Sequence, residues 1–262
     1  MQSIKRLLVL FVVIFGLVSP LLAQKSGRSF YEIRVYHIKD KDQENRMDQY
    51  LKSALMPALK RQGIKAVGIF KPVGNDTLAD KRIYVLTPFN SATQFASMPD
   101  LINKDDQYLK DAAAWRSTPF DSPAYERIES IFLQSFAMMP HLSVPAMKGD
   151  RKNRIYELRS YESPTDELFK NKVHMFNEGG EIKIFDRLGF NAVFYGSVIA
   201  GGSMPNLMYM TSFEDRADRE AHWKAFGSDP EWKKLSSMKF YHPKNVSKIE
   251  TTFLNATDYS GI

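Results

Sequence analysis

Apolar and polar positions along this chain follow two periods, and both halves run through them in the same order. Residues 31–36, YEIRVY, alternate with period two, as a strand with two unlike faces does. From about residue 42 to 61 the period becomes helical, with Met47, Leu51, Leu55 and Leu59 on one stripe. Asp42 and Glu44 lie in the first turn of that stretch, Lys60 and Arg61 in its last, and Gly63 just beyond. These charges complement the helix dipole, and the glycine suits a left-handed cap. Pro57 lies inside the stripe and predicts a kink. Two β-prone runs follow, 65–73 and 83–89, around a Gly74-Asn75-Asp76 turn, then a helical stretch over about 91–114 and a last strand at 127–136.

The same script restarts at residue 156 with YELRSY. Ser163-Pro164-Thr165-Asp166 reads as a helix start, with Ser163 as the cap, and Phe169, Val173 and Phe176 form the stripe. Asn177-Glu178-Gly179-Gly180 interrupts it before Ile182, Phe185 and Leu188 resume it to Gly189. Strands at 191–199 and 207–213 flank Gly201-Gly202, and a helical stretch over about 214–237 restarts at Asp229-Pro230-Glu231-Trp232. A strand at 246–254 closes the copy. The order β-α-β-β-α-β, written twice, predicts an α+β fold of two tandem ferredoxin-like units. Each unit has a sheet face that its helices leave bare, so the two faces are expected to pack together into an α/β-barrel within one chain.

The expected division is a leader over 1–23, a first unit over 24–136, a linker over 137–153 with Pro140, Pro145 and Gly149, and a second unit over 154–256. Lys5 and Arg6, an apolar run from Leu7 to Val18 and a small residue at Ala23 read as a cleaved export signal. An uncleaved anchor is the other reading of that run. A periplasmic or secreted location follows, with no stable membrane span once the leader is removed.

Without residues 1–23, Lys5 and Arg6 drop out of the 36 Lys and Arg, leaving 34 against 30 Asp and Glu, a net charge of +4. That excess is spread along the chain and forms no basic block, so nucleic acid is not an expected partner. With no cysteine, disulfides, thiolate metal sites and a cysteine nucleophile are excluded. No histidine or carboxylate spacing of metal-site type occurs, nor a nucleophile elbow, a phosphate loop or a dinucleotide fingerprint.

Strand alternation places Tyr31, Ile33 and Val35 on one face of the first hexapeptide and Glu32, Arg34 and Tyr36 on the other. In the second, Tyr156, Leu158 and Ser160 oppose Glu157, Arg159 and Tyr161. The more apolar sets are expected to meet the helices, and the two Glu-x-Arg-x-Tyr sets the shared interior. There they either pair across strands and fix register, or line a ligand pocket.

The motifs RIYELRSYE (154–162), HMFNEGGEIKIFDRLGF (174–190), NLMYMTSFED (206–215) and DPEWKKL (229–235) resemble the NIPSNAP family of the dimeric α/β-barrel superfamily. The first copy keeps FYEIRVY and IYVLTPF but lacks the His174/Asn177/Gly179-Gly180 cluster and the Asp-Pro-Glu-Trp start. The resemblance implies a barrel, and a bacterial exported member with no defined activity. It leaves open whether the chain is an enzyme: wider relatives include monooxygenases and haem-dependent enzymes.

His174 and Asn177 complete the candidate set. Beside a helix break they either cap its free backbone groups or hold a ligand, and the resemblance allows His174 as an axial haem ligand. No cofactor is expected, with haem as the alternative. Three functions stand: binding of a small molecule or partner through the barrel, a monooxygenase-like or haem-dependent enzyme, and an interaction protein with a solid interior. A homo-oligomer is left open.

Overall fold

The structure, a computed structural model, describes residues 27–262, so the expected leader lies outside the described residues. The first unit runs β1 (Phe30–Ile38), α1 (Lys41–Tyr50), α2 (Met56–Arg61), β2 (Gly68–Pro72), β3 (Lys81–Phe89), α3 (Ala92–Asn103), α4 (Asp106–Asp111), α5 (Ala113–Arg116) and β4 (Arg127–Ser135). The second runs β5 (Ile155–Glu162), α6 (Asp166–Phe176), α7 (Glu181–Arg187), β6 (Asn191–Ala200), β7 (Asn206–Phe213), α8 (Arg216–Ser228), α9 (Pro230–Ser236) and β8 (Lys248–Ala256).

The strands close into one barrel in the order β1-β3-β2-β8-β5-β7-β6-β4. Read from β4 to β2 and from β8 to β6, each half has the ferredoxin-like order, fourth-first-third-second. The halves join twice: β2 pairs with β8 through Phe70–Pro72 and Leu254–Ala256, and β4 with β6 through Phe132–Ser135 and Gly196–Ala200. Each bare sheet edge therefore finds a partner in the other half, and closure removes most of the unpaired edge.

Local signals place the helices as the sequence implies, with two refinements. The kink expected at Pro57 takes the form of a π-helical segment, Leu51–Leu55, in which Met56 N–H reaches back to Leu51 O. Proline has no N–H to give and crowds the carbonyl four residues back, and a wider turn relieves both. The cap of α6 is Thr165, whose hydroxyl accepts from Leu168 N–H, and not Ser163, whose hydroxyl donates to Asn245 O.

The faces of the twin hexapeptides are the reverse of the expected ones. Tyr31, Ile33, Val35, Tyr156 and Leu158 point into the barrel, packed with Phe70, Leu86, Leu133, Phe194 and Leu254 from the other strands. Glu32, Arg34, Tyr36, Glu157, Arg159 and Tyr161 point outward, under the helices. The physical reason is access to partners. The barrel interior is packed with apolar side chains, so charged groups among them would lie far from water and donors. Under the helices, Glu157 meets Arg219 and Trp223 of α8.

The segment between the units is fastened to the second. Ser143 N–H donates to Val193 O at 3.0 Å, and the Lys148 and Gly149 amides both donate to Glu214, each at 2.7 Å. After β8 the chain crosses back to the first unit: Ser260 Oγ accepts from Ile69 N–H at 2.9 Å, and Ile262 enters the barrel core. Among the described residues, no helix is long and apolar enough to cross a membrane.

Candidate functional site: two helix-side chambers

Since the charged face of each hexapeptide lies under the helices, each unit has one chamber there, with Glu-x-Arg-x-Tyr as its floor. The two chambers are built alike and filled differently.

In the second unit the chamber is solid. Glu157, with a side chain 0% exposed, accepts four hydrogen bonds: Oε1 from Arg159 Nη1 at 2.7 Å and Arg219 Nη2 at 2.8 Å, Oε2 from Arg219 Nε and Trp223 Nε1, both at 2.8 Å. Burial alone would raise its carboxyl pKa, but the bonds from Arg219, Trp223 and Arg159 outweigh burial and hold it below the usual carboxylate range. Arg159 stacks its guanidinium over Trp223, 4.5 Å from the ring centroid. Around them pack Tyr161, Phe176, Phe185, Tyr195, Tyr209 and Phe226, all buried. The Tyr161 and Tyr209 hydroxyls bond at 3.0 Å, and a buried Lys172–Glu181 pair at 2.8 Å fills the remaining polar space.

In the first unit the same floor lies under a cavity of about 300 Å³. Its lining includes Glu32 and Arg34 from β1, Val85 and Thr87 from β3, Tyr50, Leu55 and Leu59 from the α1–α2 segment, and Phe95 and Pro99 from α3. Register explains the space. Val85 stands opposite Arg34 where Tyr209 stands opposite Arg159, and Ile69 opposes Val85 where Tyr195 opposes Tyr209. Where the second unit has two tyrosines, the first has a valine and an isoleucine.

The covering helices differ in the same sense. α3 and α8 begin with the same reciprocal cap: Ser91 accepts from Gln94 N–H and Gln94 from Asn90 N–H, as Asp215 accepts from Asp218 N–H and Asp218 from Glu214 N–H. Counted from those caps, the fourth and eighth helical residues are Arg219 and Trp223 in α8, but Phe95 and Pro99 in α3. The two side chains that seal Glu157 thus have no polar counterpart above Glu32. Glu32 Oε1 accepts hydrogen bonds from Arg34 Nε at 2.9 Å and Ser130 Oγ at 2.8 Å, and Arg34 Nη2 lies 2.9 Å from the same oxygen as an ion pair. Arg34 keeps 34% of its side chain exposed, against 13% for Arg159.

The remaining candidates do not line the cavity. Tyr36 is buried beside it, its ring edge-on to Tyr125 at 5.7 Å. Asn177 serves the helix break: its Nδ2 donates to Val173 O at 2.9 Å and its Oδ1 accepts from Met138 N–H at 3.1 Å. His174 pairs Nδ1 with the Tyr241 hydroxyl at 3.1 Å and lies 5.0 Å from the Phe240 ring, which is itself exposed. It is on a different unit from the cavity, and no histidine lines that cavity, so the residues present do not fit a histidine-ligated haem there. Sequence reading missed Arg219, Trp223, Val85, Phe95 and Pro99. The signal was present in the repeat: aligning the copies sets small or apolar residues in the first against Tyr, Arg and Trp in the second.

The NIPSNAP family model matches residues 156–261, the unit with the packed chamber. No curated protein matches the chain. A proposed monooxygenase from Fusobacterium nucleatum shares the fold with a TM-score of 0.58 at 10% identity, over 88% of this chain and 93% of its own. A proposed monooxygenase from Lactobacillus acidophilus does so with a TM-score of 0.56 at 12% identity, over 87% and 94%. At such identities the likeness is one of fold. The second unit of this barrel, residues 156–261, belongs to the NIPSNAP family.

Proposed function

We propose that this protein binds a small, largely apolar molecule in the helix-side chamber of its first unit, above Glu32 and Arg34. The observation that supports it is the contrast within one chain. The same site is packed with Tyr195, Tyr209, Arg219 and Trp223 in the second unit and lined by smaller or apolar residues in the first. Random loss of packing would be costly, since cavities in cores destabilise in proportion to their volume. A cavity of about 300 Å³ with a mostly apolar lining and a charged pair on its floor is at the lower end of the size range of ligand sites. The two monooxygenase-named neighbours support the barrel and not a reaction, so binding is the function proposed.

The test fills the chamber as the second unit fills its own. Val85→Tyr places at the Arg34 position the ring that Tyr209 places at Arg159. The neutral fluorophore N-phenyl-1-naphthylamine should bind the full chain with one-to-one stoichiometry and bind the variant at least about tenfold more weakly. The variant should keep its circular dichroism spectrum and its Tm. Equal binding by a folded Val85→Tyr chain would place the fluorophore elsewhere and sink the proposal.

A further inference from the structure

The packed chamber records which groups satisfy this floor when the space above it is filled. Glu157 uses both carboxylate oxygens: Oε1 holds Arg159 and Arg219, and Oε2 holds Arg219 and Trp223. Glu32 has its donors on Oε1 alone, and among the described residues none reaches Oε2. Glu32 nonetheless is only 5% exposed and lines the cavity. The protein does not seal Oε2 off, so a donor brought into the cavity by a ligand can reach it and take the place of water. The walls that surround this position include Tyr50, Phe89, Phe95 and Tyr108, whose ring faces and edges favour a flat partner. Arg34 already balances the charge of Glu32, so a ligand bearing net charge would find no unpaired partner among these mostly apolar walls.

We propose that the ligand is a neutral, flat aromatic molecule with an N–H or O–H donor on its ring, bonded to Glu32 Oε2 as Trp223 Nε1 is bonded to Glu157. This deepens the reading of the first chamber as a binding site and rests on it.

Calorimetric titration of the full chain with matched probes separates the two. 3-Methylindole and 1-methylindole have the same volume and differ in the N–H. 2-Naphthol and 2-methylnaphthalene have nearly the same volume and differ in the O–H. The donor-bearing member of at least one pair should bind about tenfold more tightly or better, as expected for a hydrogen bond to a charged acceptor, and the pair that discriminates tells an N–H ligand from an O–H one. Phe95→Arg with Pro99→Trp, which carries the second unit's donors into the first, should abolish that preference and the binding. If both members of both pairs bind equally and Val85→Tyr excludes them, the donor is wrong and the chamber stands. If none of the four binds while N-phenyl-1-naphthylamine does, the ligand class is overturned. If nothing binds and Val85→Tyr changes nothing, the chamber reading falls as well.

Discussion

Glu157→Gln is expected to cost about 3–5 kcal/mol of stability, the range for removing one partner of a buried, hydrogen-bonded charge pair. The carboxylate is the common acceptor for Arg159, Arg219 and Trp223, and its side chain is 0% exposed. An amide in its place offers one acceptor oxygen and turns an NH2 toward guanidinium donors. Glu32→Gln should cost much less, about 1 kcal/mol, because Arg34 is a third exposed and can be solvated. Urea denaturation of the two variants measures the difference directly. The pH dependence follows from the sign of the shift. In the folded state the Glu157 carboxyl titrates below its unfolded value of about 4.3, because its donors outweigh burial. Its contribution is therefore complete above about pH 5 and is lost as pH falls through the lower folded value. The gap between wild type and Glu157→Gln should narrow on acidification from pH 5 toward pH 3. A gap that stays constant over that window, or equal losses for the two glutamates, would contradict the account of a sealed and an unsealed chamber.

The fold was readable because it depends on signals that are local and repeated. Period-two runs, helical stripes, the Gly63 and Gly189 caps at φ +84° and +78°, and the Asp229 cap all lie where the sequence puts them. The orientation of the hexapeptides was not readable, and the reason is specific. Both faces of β1 carry aromatic and aliphatic residues, and alternation says which residues share a face but not which face is inside. Deciding that needs the partners: Arg219 and Trp223 lie 62 and 66 residues from Glu157, and the barrel closes through pairings between the two units. The candidate site was half readable for the same reason. Glu32 and Arg34 were legible as a repeated motif, whereas the cavity exists through what Val85, Phe95 and Pro99 fail to supply.

The difference between the two units has a physical direction. The unit that matches the family model is the one whose helix-side chamber is packed, with the Glu157 carboxylate of its floor satisfied by its own side chains. The unit outside that match keeps the floor and lacks the filling. Barrel closure makes this division tolerable. The interior core draws on all eight strands and contains neither chamber, so one unit can hold a cavity while the barrel core stays intact.

Tyr209→Val tests that division from the packed side, and is expected to cost about 3–5 kcal/mol, as large-to-small changes of buried aromatics do. Tyr209 is 0% exposed, with ring centroids of Tyr161, Phe176 and Tyr195 at 5.4, 5.4 and 5.5 Å. Its removal empties the position that Val85 leaves empty in the first unit and strips the Tyr161 hydroxyl of its 3.0 Å partner. An unpaired buried hydroxyl adds to the cavity cost. The loss should appear as a lower urea midpoint with an unchanged slope. Binding of N-phenyl-1-naphthylamine in the first chamber should persist, since neither Tyr209 nor the rings packed on it, Tyr161, Phe176 and Tyr195, line that chamber. A loss below about 1 kcal/mol would mean that a tyrosine at this position contributes little packing. The valine in the first unit would then be neutral drift, and the cavity there would carry no functional weight.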